Sequence, residues 1–153
     1  MELREVMTTD VRCAEPTATM EAAARMMAEL NVGSIPICNG DSLLGIITDR
    51  DITIRCVAQG QDPRQCRVAD HMSKDVVVGD PSMSVEEALR LMSTGQIRRL
   101  PIIEGENGRL VGMVSLGDLS VETDGDAGVA ASLEDISQPV HQTDGGEPKA
   151  SAA

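Results

Sequence analysis

Apolar residues follow two different periods along the chain, and the same succession of periods occurs twice. Over residues 20–30 and again over 85–92, apolar side chains fall three or four positions apart, which is typical of a helix with one buried face. A hydroxyl residue, Thr19 or Ser84, precedes each helix, and Glu87 completes a capping box with Ser84. Two short apolar runs follow each helix and predict paired strands, at 35–38 with 44–47 and at 100–103 with 110–114.

Further elements flank this pattern in each half. An extended segment comes first, at 11–13 and at 76–78, and leads into a proline-containing turn. A second helix starts at Thr48 and ends near Gly60, a suitable C-terminal cap. Its counterpart starts at Ser115 and runs into the C-terminal part of the chain. Each half therefore predicts strand, helix, strand, strand, helix.

The two halves also match residue by residue, which indicates an internal duplication. The match begins with Met7-Thr8-Thr9-Asp10-Val11 on Met72-Ser73-Lys74-Asp75-Val76. The sequence thus predicts an α+β fold with α/β-type repeats, made of two β-α-β-β-α repeats at residues 1–65 and 66–120. Because about 50 residues are too few for an independent core, we expect the repeats to pack sheet to sheet with approximate twofold symmetry.

The composition excludes several classes of function. The 153 residues include no Phe, Tyr or Trp, so the chain lacks the side chains on which bases of nucleic acids usually stack. A net charge of −12 argues against binding to a phosphate backbone, so we expect no nucleic-acid partner. No stretch approaches the roughly 20 apolar residues that cross a bilayer, and the first residues lack the apolar segment of a secretory signal. We therefore expect a cytoplasmic protein that does not contact membranes.

Acidic residues are concentrated at the C-terminal end. Residues 121–153 contain seven acidic residues against one lysine, together with several Gly and Pro residues and few branched apolar residues. Such a segment buries too little apolar surface to offset the entropy lost on ordering. We expect a mostly disordered, solubilising tail over 121–153, with one short docked turn available at 130–136.

The residues required for catalysis or for a metal centre are scarce. The chain has no P-loop, and its two histidines, His71 and His141, fall in a predicted linker and in the tail, so we expect neither an enzyme nor a metal site. The cysteines form no C-x-x-C pair, and buried thiols are the simplest interpretation. A redox pair of Cys56 and Cys66 stays open. The four cysteines are Cys13, Cys38, Cys56 and Cys66.

One motif occurs at the same corner of both halves, where a predicted strand passes into a helix. It consists of glycine, two apolar residues, a hydroxyl residue, two variable residues and Asp, at 45–51 and at 112–118. The hydroxyl and the Asp three residues later suit a capping box. Its recurrence at one topological position favours a binding role, since unpaired N–H groups at a helix start attract anions and a carboxylate suits the two hydroxyls of a ribose.

With these corners, the repeated Met-Thr/Ser-x-Asp-Val segments and the prolines at 36 and 101, residues 7–120 resemble a tandem pair of CBS domains (cystathionine β-synthase domains), also called a Bateman module. The overall pattern is most similar to small stand-alone bacterial CBS-pair proteins. The resemblance implies binding of adenosine nucleotides in two clefts between the repeats, with the corner of one repeat facing the strand before the proline of the other. The Asp residues would hold ribose hydroxyls, and the hydroxyl residues would contact ribose or phosphate. The implied binding residues are Thr48, Arg50, Asp51, Ile97, Arg98, Arg99 and Leu100 in one cleft, Val32, Gly33, Ser34, Ile35, Ser115 and Asp118 in the other, and Val11 and Val76 for backbone contacts to adenine.

The two implied clefts differ in charge. Arg98 and Arg99, with Arg50, would place up to three guanidinium groups beside Asp51, whereas the cleft of Asp118 would have no nearby base. Guanidinium groups bind phosphates well. We therefore expect the cleft of Asp51 to bind phosphorylated adenosine, and the other cleft to bind weakly, to take adenosine-like ligands or to stay empty.

The sequence favours a non-catalytic regulatory module. It would need no cofactor, would bind an adenine nucleotide (AMP, ADP, ATP or a related compound) as a regulatory ligand, and would pass the ligand state to an unidentified protein target. By the same resemblance, we expect a disc-shaped homodimer formed through the helices. Two alternatives stay open: a ligand-free structural or protein-interaction module, and a thiol redox-responsive protein. For Arg98 and Arg99, the alternative role is surface ion pairing with Glu86 or Glu87.

Overall fold

Two similar repeats follow one another in the computed structural model, which describes residues 1–122. Each repeat has a short 3₁₀ turn, one long helix, one β-hairpin and a second helix, so the predicted α+β class is confirmed. After the turn Leu3–Glu5, the first repeat contains α1 (Met20–Leu30), β1 (Ser34–Asn39), β2 (Ser42–Thr48) and α2 (Asp49–Asp51), which continues as a π-helix at Ile52–Val57. After the turn Val68–Asp70, the second contains α3 (Val85–Gly95), β3 (Arg99–Glu104), β4 (Arg109–Ser115) and α4 (Leu116–Glu122).

The long helices begin at the hydroxyl residues that the sequence indicates. The Thr19 hydroxyl accepts a hydrogen bond from the backbone N–H of Ala22 at 3.1 Å and caps α1. Ser84 and Glu87 form the predicted reciprocal capping box at the start of α3. These bonds satisfy backbone donors that the first helical turn leaves unpaired. The predicted helices and their caps are thus confirmed.

The four strands form one antiparallel sheet in the order β1-β2-β4-β3. Within each hairpin the strands pair along their length, whereas β2 and β4 pair only at Ser42 and Arg109. Two backbone hydrogen bonds beside this pair, between Leu43 and Gly108 and between Leu110 and Asp41, complete the junction. The sheets of the two repeats therefore join over a narrow contact, and the space on either side of it is available for a cleft.

The predicted leading strands at 11–13 and 76–78 are wrong. In their place, each repeat has a single-residue parallel bridge, between Ala14 and Ile37 and between Gly79 and Ile102.

Prolines explain why this ladder does not extend. Ala14 donates its N–H to the carbonyl of Pro36 at 2.9 Å. Continuing the parallel ladder in either direction would require a backbone N–H from Pro16 or from Pro36, and proline has none. Pro81 and Pro101 hold the corresponding positions in the second repeat.

The second helices begin at Thr48 and Ser115, as predicted. Beyond α2 the chain is π-helical as far as Val57, with the Ala58 N–H bonded to the carbonyl of Thr53 at 2.8 Å. The chain then turns, and Gly60 adopts a φ of 71°. Glycine suits this position because it enters the left-handed region without steric cost.

The tail lies almost entirely beyond the described part of the chain. The structure describes it only as far as the end of α4, so the predicted disorder and the turn at 130–136 lie outside the described residues. Within residues 1–122, no helix combines the length and the apolar character that spanning a bilayer requires.

The N-terminal segment of each repeat packs on the other repeat. Leu3 is fully buried in the core of the second repeat, and Val68 is fully buried in the core of the first. Thr8 then pairs with Met113 of β4, and Ser73 pairs with Ile46 of β2. Residues 1–8 therefore pack on the second repeat and residues 66–73 pack on the first, and the chain returns to its own repeat only after these pairs. We call these two stretches the exchanged segments.

Glycines permit the two crossings. A Cβ on Gly45 would lie 2.5 Å from the carbonyl oxygen of Ser73, and a Cβ on Gly112 would lie 2.6 Å from the sulfur of Met7 and 3.1 Å from the carbonyl oxygen of Thr8. The first glycine of the corner motif is therefore the residue over which the exchanged segment passes.

We predict that Gly45→Ala lowers the free energy of unfolding by about 1 to 3 kcal/mol, because the new methyl group overlaps a backbone oxygen that cannot move alone. Gly117→Ala is the matched control: its Cβ would meet only the Ser115 hydroxyl at 3.7 Å, and alanine is the better helix former. Urea unfolding followed by far-ultraviolet circular dichroism measures both. Equal stability of the two variants would contradict the crossing.

Candidate functional site

Both corner motifs form complete capping boxes. The Asp51 N–H donates to the Thr48 hydroxyl at 3.1 Å, and the Thr48 N–H donates to Oδ2 of Asp51 at 2.9 Å. Ser115 and Asp118 make the same two bonds, each at 3.1 Å. Capping is therefore a role of both motifs, but it uses only one oxygen of each carboxylate. The other oxygen, Oδ1, is left for a second partner.

The two carboxylates differ in what occupies Oδ1. Asp51 is buried, and Nε of Arg55, one helical turn further on, lies 3.6 Å from its Oδ1. Asp118 is exposed, and no hydrogen bond or ion pair reaches its Oδ1 from the described residues. The position that corresponds to Arg55 is Glu122, a residue that cannot neutralise a carboxylate. Duplication has thus produced one corner with an internal cation and one without.

Asp118 lines a cavity of about 260 Å³ between the repeats. The walls combine β1 and the end of α1 in the first repeat, β3, β4 and Asp118 of α4 in the second, and residues 8–12, which run between the repeats. The lining residues are Thr8, Asp10, Val11, Arg12, Leu30, Val32, Ser34, Ile35, Pro36, Arg99, Met113 and Asp118. The structure therefore places the corner of the second repeat in one cavity with the strand before the proline of the first.

This cavity has basic groups, and the expectation that the cleft of Asp118 lacks a nearby base is wrong. Arg12 and Arg99 both line it, opposite two acids, Asp10 and Asp118. Arg99 has no ion pair with any described residue, and the ion pair of Arg12 with Glu29 is long, 3.9 Å, and exposed. Exposed pairs of this kind contribute little to stability, so both guanidinium groups can bind an anion.

The arginine pair lies beside the corner of its own repeat. Arg99 is opposite Ser115 in the β3–β4 ladder, and the carbonyl of Arg98 accepts the N–H of Leu116 at 2.8 Å. A further cavity of about 330 Å³ is lined by Arg98, Arg99, Ser115, Leu116, Gly117 and Ser120. Neither arginine is paired with Glu86 or Glu87.

The remaining predicted residues lie around the first corner or in the core. The Gly33 carbonyl accepts the N–H of Asp49 at 2.9 Å, the counterpart of the bond between Arg98 and Leu116. Arg50 is exposed, whereas Leu100 is fully buried in the second core. Ile97 and Val76 are half-buried, and Ile97 packs against that core.

The sequence analysis missed part of the cavity. Thr8, Asp10 and Arg12 contribute from residues 8–12, of which only Val11 was expected, and Leu30 and Met113 contribute from α1 and β4. A signal for Thr8 and Asp10 was present, because the Met-Thr/Ser-x-Asp-Val segment occurs in both halves. Nothing in the sequence indicated the position of Arg12, whose counterpart is a valine.

The described residues do not form a metal centre. Nowhere in residues 1–122 do three His, Cys, Asp or Glu side chains gather closely enough to hold a metal ion. The lining of the cavity at Asp118 combines a carboxylate whose Oδ1 has no partner among the described residues, two guanidinium groups and aliphatic walls, and these features suit an organic ligand.

Each repeat matches the model of a known domain family. The family model of the CBS domain matches residues 3–57 and 68–122. The CBS domain-containing protein YhcV of Bacillus subtilis (strain 168) is 44% identical over 140 residues, which cover 91% of this chain and 98% of YhcV. Hypoxic response protein 1 of Mycobacterium tuberculosis (strain H37Rv) is 36% identical over 118 residues, which cover 76% of this chain and 81% of that protein.

Solved structures agree with these matches. The crystal structure of Hypoxic Response Protein I, which has two coordinated zinc ions, matches with a TM-score of 0.72 and 35% identity and covers 80% of this chain and 98% of that chain. The CBS domain pair of protein MJ0100, in complex with 5′-methylthioadenosine and S-adenosyl-L-methionine, has the same fold, with a TM-score of 0.71 and 23% identity over 82% of this chain and 97% of that chain. The chain therefore belongs to the CBS domain family, as a CBS-pair regulatory module whose two domains are the two repeats.

Proposed function

We propose that the chain is a non-catalytic sensor that binds an adenosine nucleotide in the cavity at Asp118 and passes its ligand state to a protein partner. The observation that carries the proposal is the carboxylate of Asp118, which has one oxygen without a partner among residues 1–122 and shares a cavity of about 260 Å³ with two arginines. This volume is near the lower end for ligand pockets and suits a nucleoside or a mononucleotide.

The cavity offers a suitable group for each part of the ligand. Oδ1 of Asp118 can accept hydrogen bonds from both ribose hydroxyls while Oδ2 continues to cap α4. Arg12 and Arg99 are available for the phosphate, where charge-assisted hydrogen bonds are strong. Ser115, opposite Arg99 in the β3–β4 ladder, lines the neighbouring cavity of about 330 Å³, where its hydroxyl could bind a group of the ligand that extends past Arg99.

Aliphatic side chains would enclose the base. Val11, Val32, Ile35 and Pro36 line the cavity, and the chain has no aromatic residue on which adenine could stack. Backbone groups of residues 10–12 would bind the edge of the base. Burial against aliphatic walls suits a micromolar Kd, about −8 kcal/mol, and such an affinity fits a sensor of an abundant nucleotide.

A second, weaker nucleotide site is proposed at the corner of Thr48 and Asp51. By the internal symmetry, its walls would include Val76, Ile97 and Leu100, and Arg50 and Arg98 would be available for a phosphate. Binding there must compete with Arg55 for Oδ1 of Asp51. We therefore assign the tighter site to Asp118, which reverses the order expected from the sequence.

The comparisons support an adenosine ligand and a regulatory role. The CBS domain pair of protein MJ0100 has this fold and is in complex with two adenosine-containing ligands. The match to YhcV, a CBS domain-containing protein, extends over 98% of that protein, which is consistent with a stand-alone, non-catalytic CBS pair.

We also propose that the module works as a homodimer. Ile54 and Val57, after α2, and Val121 in α4 are exposed apolar residues. Ile54 and Val121 hold corresponding positions in the two repeats. A second copy of the chain could cover both helices through one self-complementary face, as twofold dimers do.

We predict that Asp118→Asn raises the Kd for AMP at least about tenfold. The amide oxygen would have to cap α4, the amide nitrogen cannot accept a hydrogen bond from a ribose hydroxyl, and the negative charge of the acceptor is lost. Asp51→Asn is the matched control, since the same change at a carboxylate already paired with Arg55 should raise the Kd less than about threefold. Isothermal titration calorimetry measures both. No binding of AMP, ADP or ATP to the wild-type chain would favour the ligand-free interaction module instead.

We predict that Arg99→Ala raises the Kd for AMP at least about fivefold and leaves the Kd for adenosine nearly unchanged, because a guanidinium group that binds phosphate has no partner on the nucleoside. Arg90→Ala, which removes an exposed arginine from α3, is the control and should change neither affinity. If Arg99→Ala raised the Kd for AMP and the Kd for adenosine by the same factor, Arg99 would not contact the phosphate.

A further inference from the structure

Two of the four thiols meet beside the nucleotide cavity. The sulfur atoms of Cys13 and Cys38 lie 3.3 Å apart, and the Cys38 S–H donates to the Cys13 sulfur. A disulfide requires a separation of about 2.05 Å, so the two sulfur atoms must move about 1.3 Å closer for the bond to form. The sequence offered no sign of this pair, because 25 residues separate the two cysteines.

The two thiols differ in access to solvent. Cys13 is exposed, whereas Cys38 is buried. Burial, together with the hydrogen bond to Cys13, raises the pKa of Cys38 to about 12, so Cys38 remains a protonated thiol at neutral pH. A small oxidant in solution therefore meets the sulfur of Cys13 first, with a protonated thiol already in contact behind it.

The pair spans two walls of the cavity. Cys13 directly follows Val11 and Arg12, and Cys38 follows Pro36 on β1. The two segments are joined by backbone hydrogen bonds at a single residue, Ala14. A covalent bond here would fix the segment that carries Val11 and Arg12 against β1.

We propose that Cys13 and Cys38 form a site of reversible oxidation, at which hydrogen peroxide produces an intramolecular disulfide that clamps the cavity wall. The Cys13 thiolate attacks one peroxide oxygen, the O–O bond breaks, and hydroxide leaves and takes up the proton lost by Cys13 to become water. Cys38 then attacks the sulfur of the sulfenic acid, the S–OH bond breaks, and the hydroxyl leaves with the Cys38 proton as a second water. The peroxide is reduced, the two thiols are oxidised, and an external thiol reverses the reaction.

This proposal does not depend on nucleotide binding, and the chain offers a direct test of it. Cleavage after arginine places each cysteine on a separate peptide, at 13–25, 26–50, 56–64 and 65–67. The full chain is treated with hydrogen peroxide, free thiols are alkylated, and the peptides are mapped by mass spectrometry without reduction. We expect a linked product of peptides 13–25 and 26–50, with a mass about 2 Da below their sum, which dithiothreitol separates.

Matched variants identify the reacting pair. Cys13→Ser should abolish the linked product and leave Cys38 free for alkylation. The double variant Cys56→Ala/Cys66→Ser removes the other pair of neighbouring thiols and should leave the linked product unchanged. Oxidation of Cys13 to sulfinic acid with Cys38 still free, or a linkage of Cys13 between two chains, would overturn the proposal.

Hydrogen exchange tests the clamp separately from the chemistry. Oxidation should slow exchange of the Ala14 and Cys38 amides, whose hydrogen bonds of 2.9 and 3.0 Å join the two segments. In Cys13→Ser, peroxide should leave both rates unchanged. A disulfide that forms without slowing these amides would overturn the assignment of the bond as a clamp on the cavity wall.

Discussion

At Gly45 and Gly112, the chain crosses a strand so closely that a Cβ would overlap a backbone oxygen or a methionine sulfur, at 2.5 and 2.6 Å. These crossings let Leu3 fill the core of one repeat and Val68 fill the core of the other. They also carry residues 8–12 across the space between the repeats, where the segment becomes a wall of the cavity. The core of each half and the candidate site thus depend on the same backbone approach.

The parts of the structure that could be predicted are those set by neighbours in sequence. The helices at Thr19 and Ser84 follow from apolar periodicity and capping side chains, and the hairpins follow from paired apolar runs around turns. The leading strands could not be excluded in the same way, because the ladder stops at the missing N–H of Pro36, a residue far along the chain from Ala14. A donor that is missing on a distant strand leaves no pattern in the sequence around Ala14.

In the candidate site, too, the features set by neighbouring residues were predicted and those set by distant contacts were not. The Thr/Ser-x-x-Asp motifs predicted where Asp51 and Asp118 would lie, because each is one turn into a helix that follows a strand. The distribution of arginines was predicted wrongly, because it depends on which segment crosses between the repeats and on strand register. Arg99 is opposite Ser115 in its own hairpin, and Arg12 reaches the cavity only because residues 8–12 cross between the repeats.

The duplication therefore gives two corners of one design with different electrostatics, a carboxylate neutralised by Arg55 and a carboxylate open to a ligand. A crystal structure of the chain soaked with AMP tests this difference most directly. The account places the first nucleotide between the repeats, with its ribose on Asp118 and its phosphate near Arg99 and Arg12. A nucleotide bound first at Asp51, or an empty Asp118 cavity at saturating AMP, would contradict it.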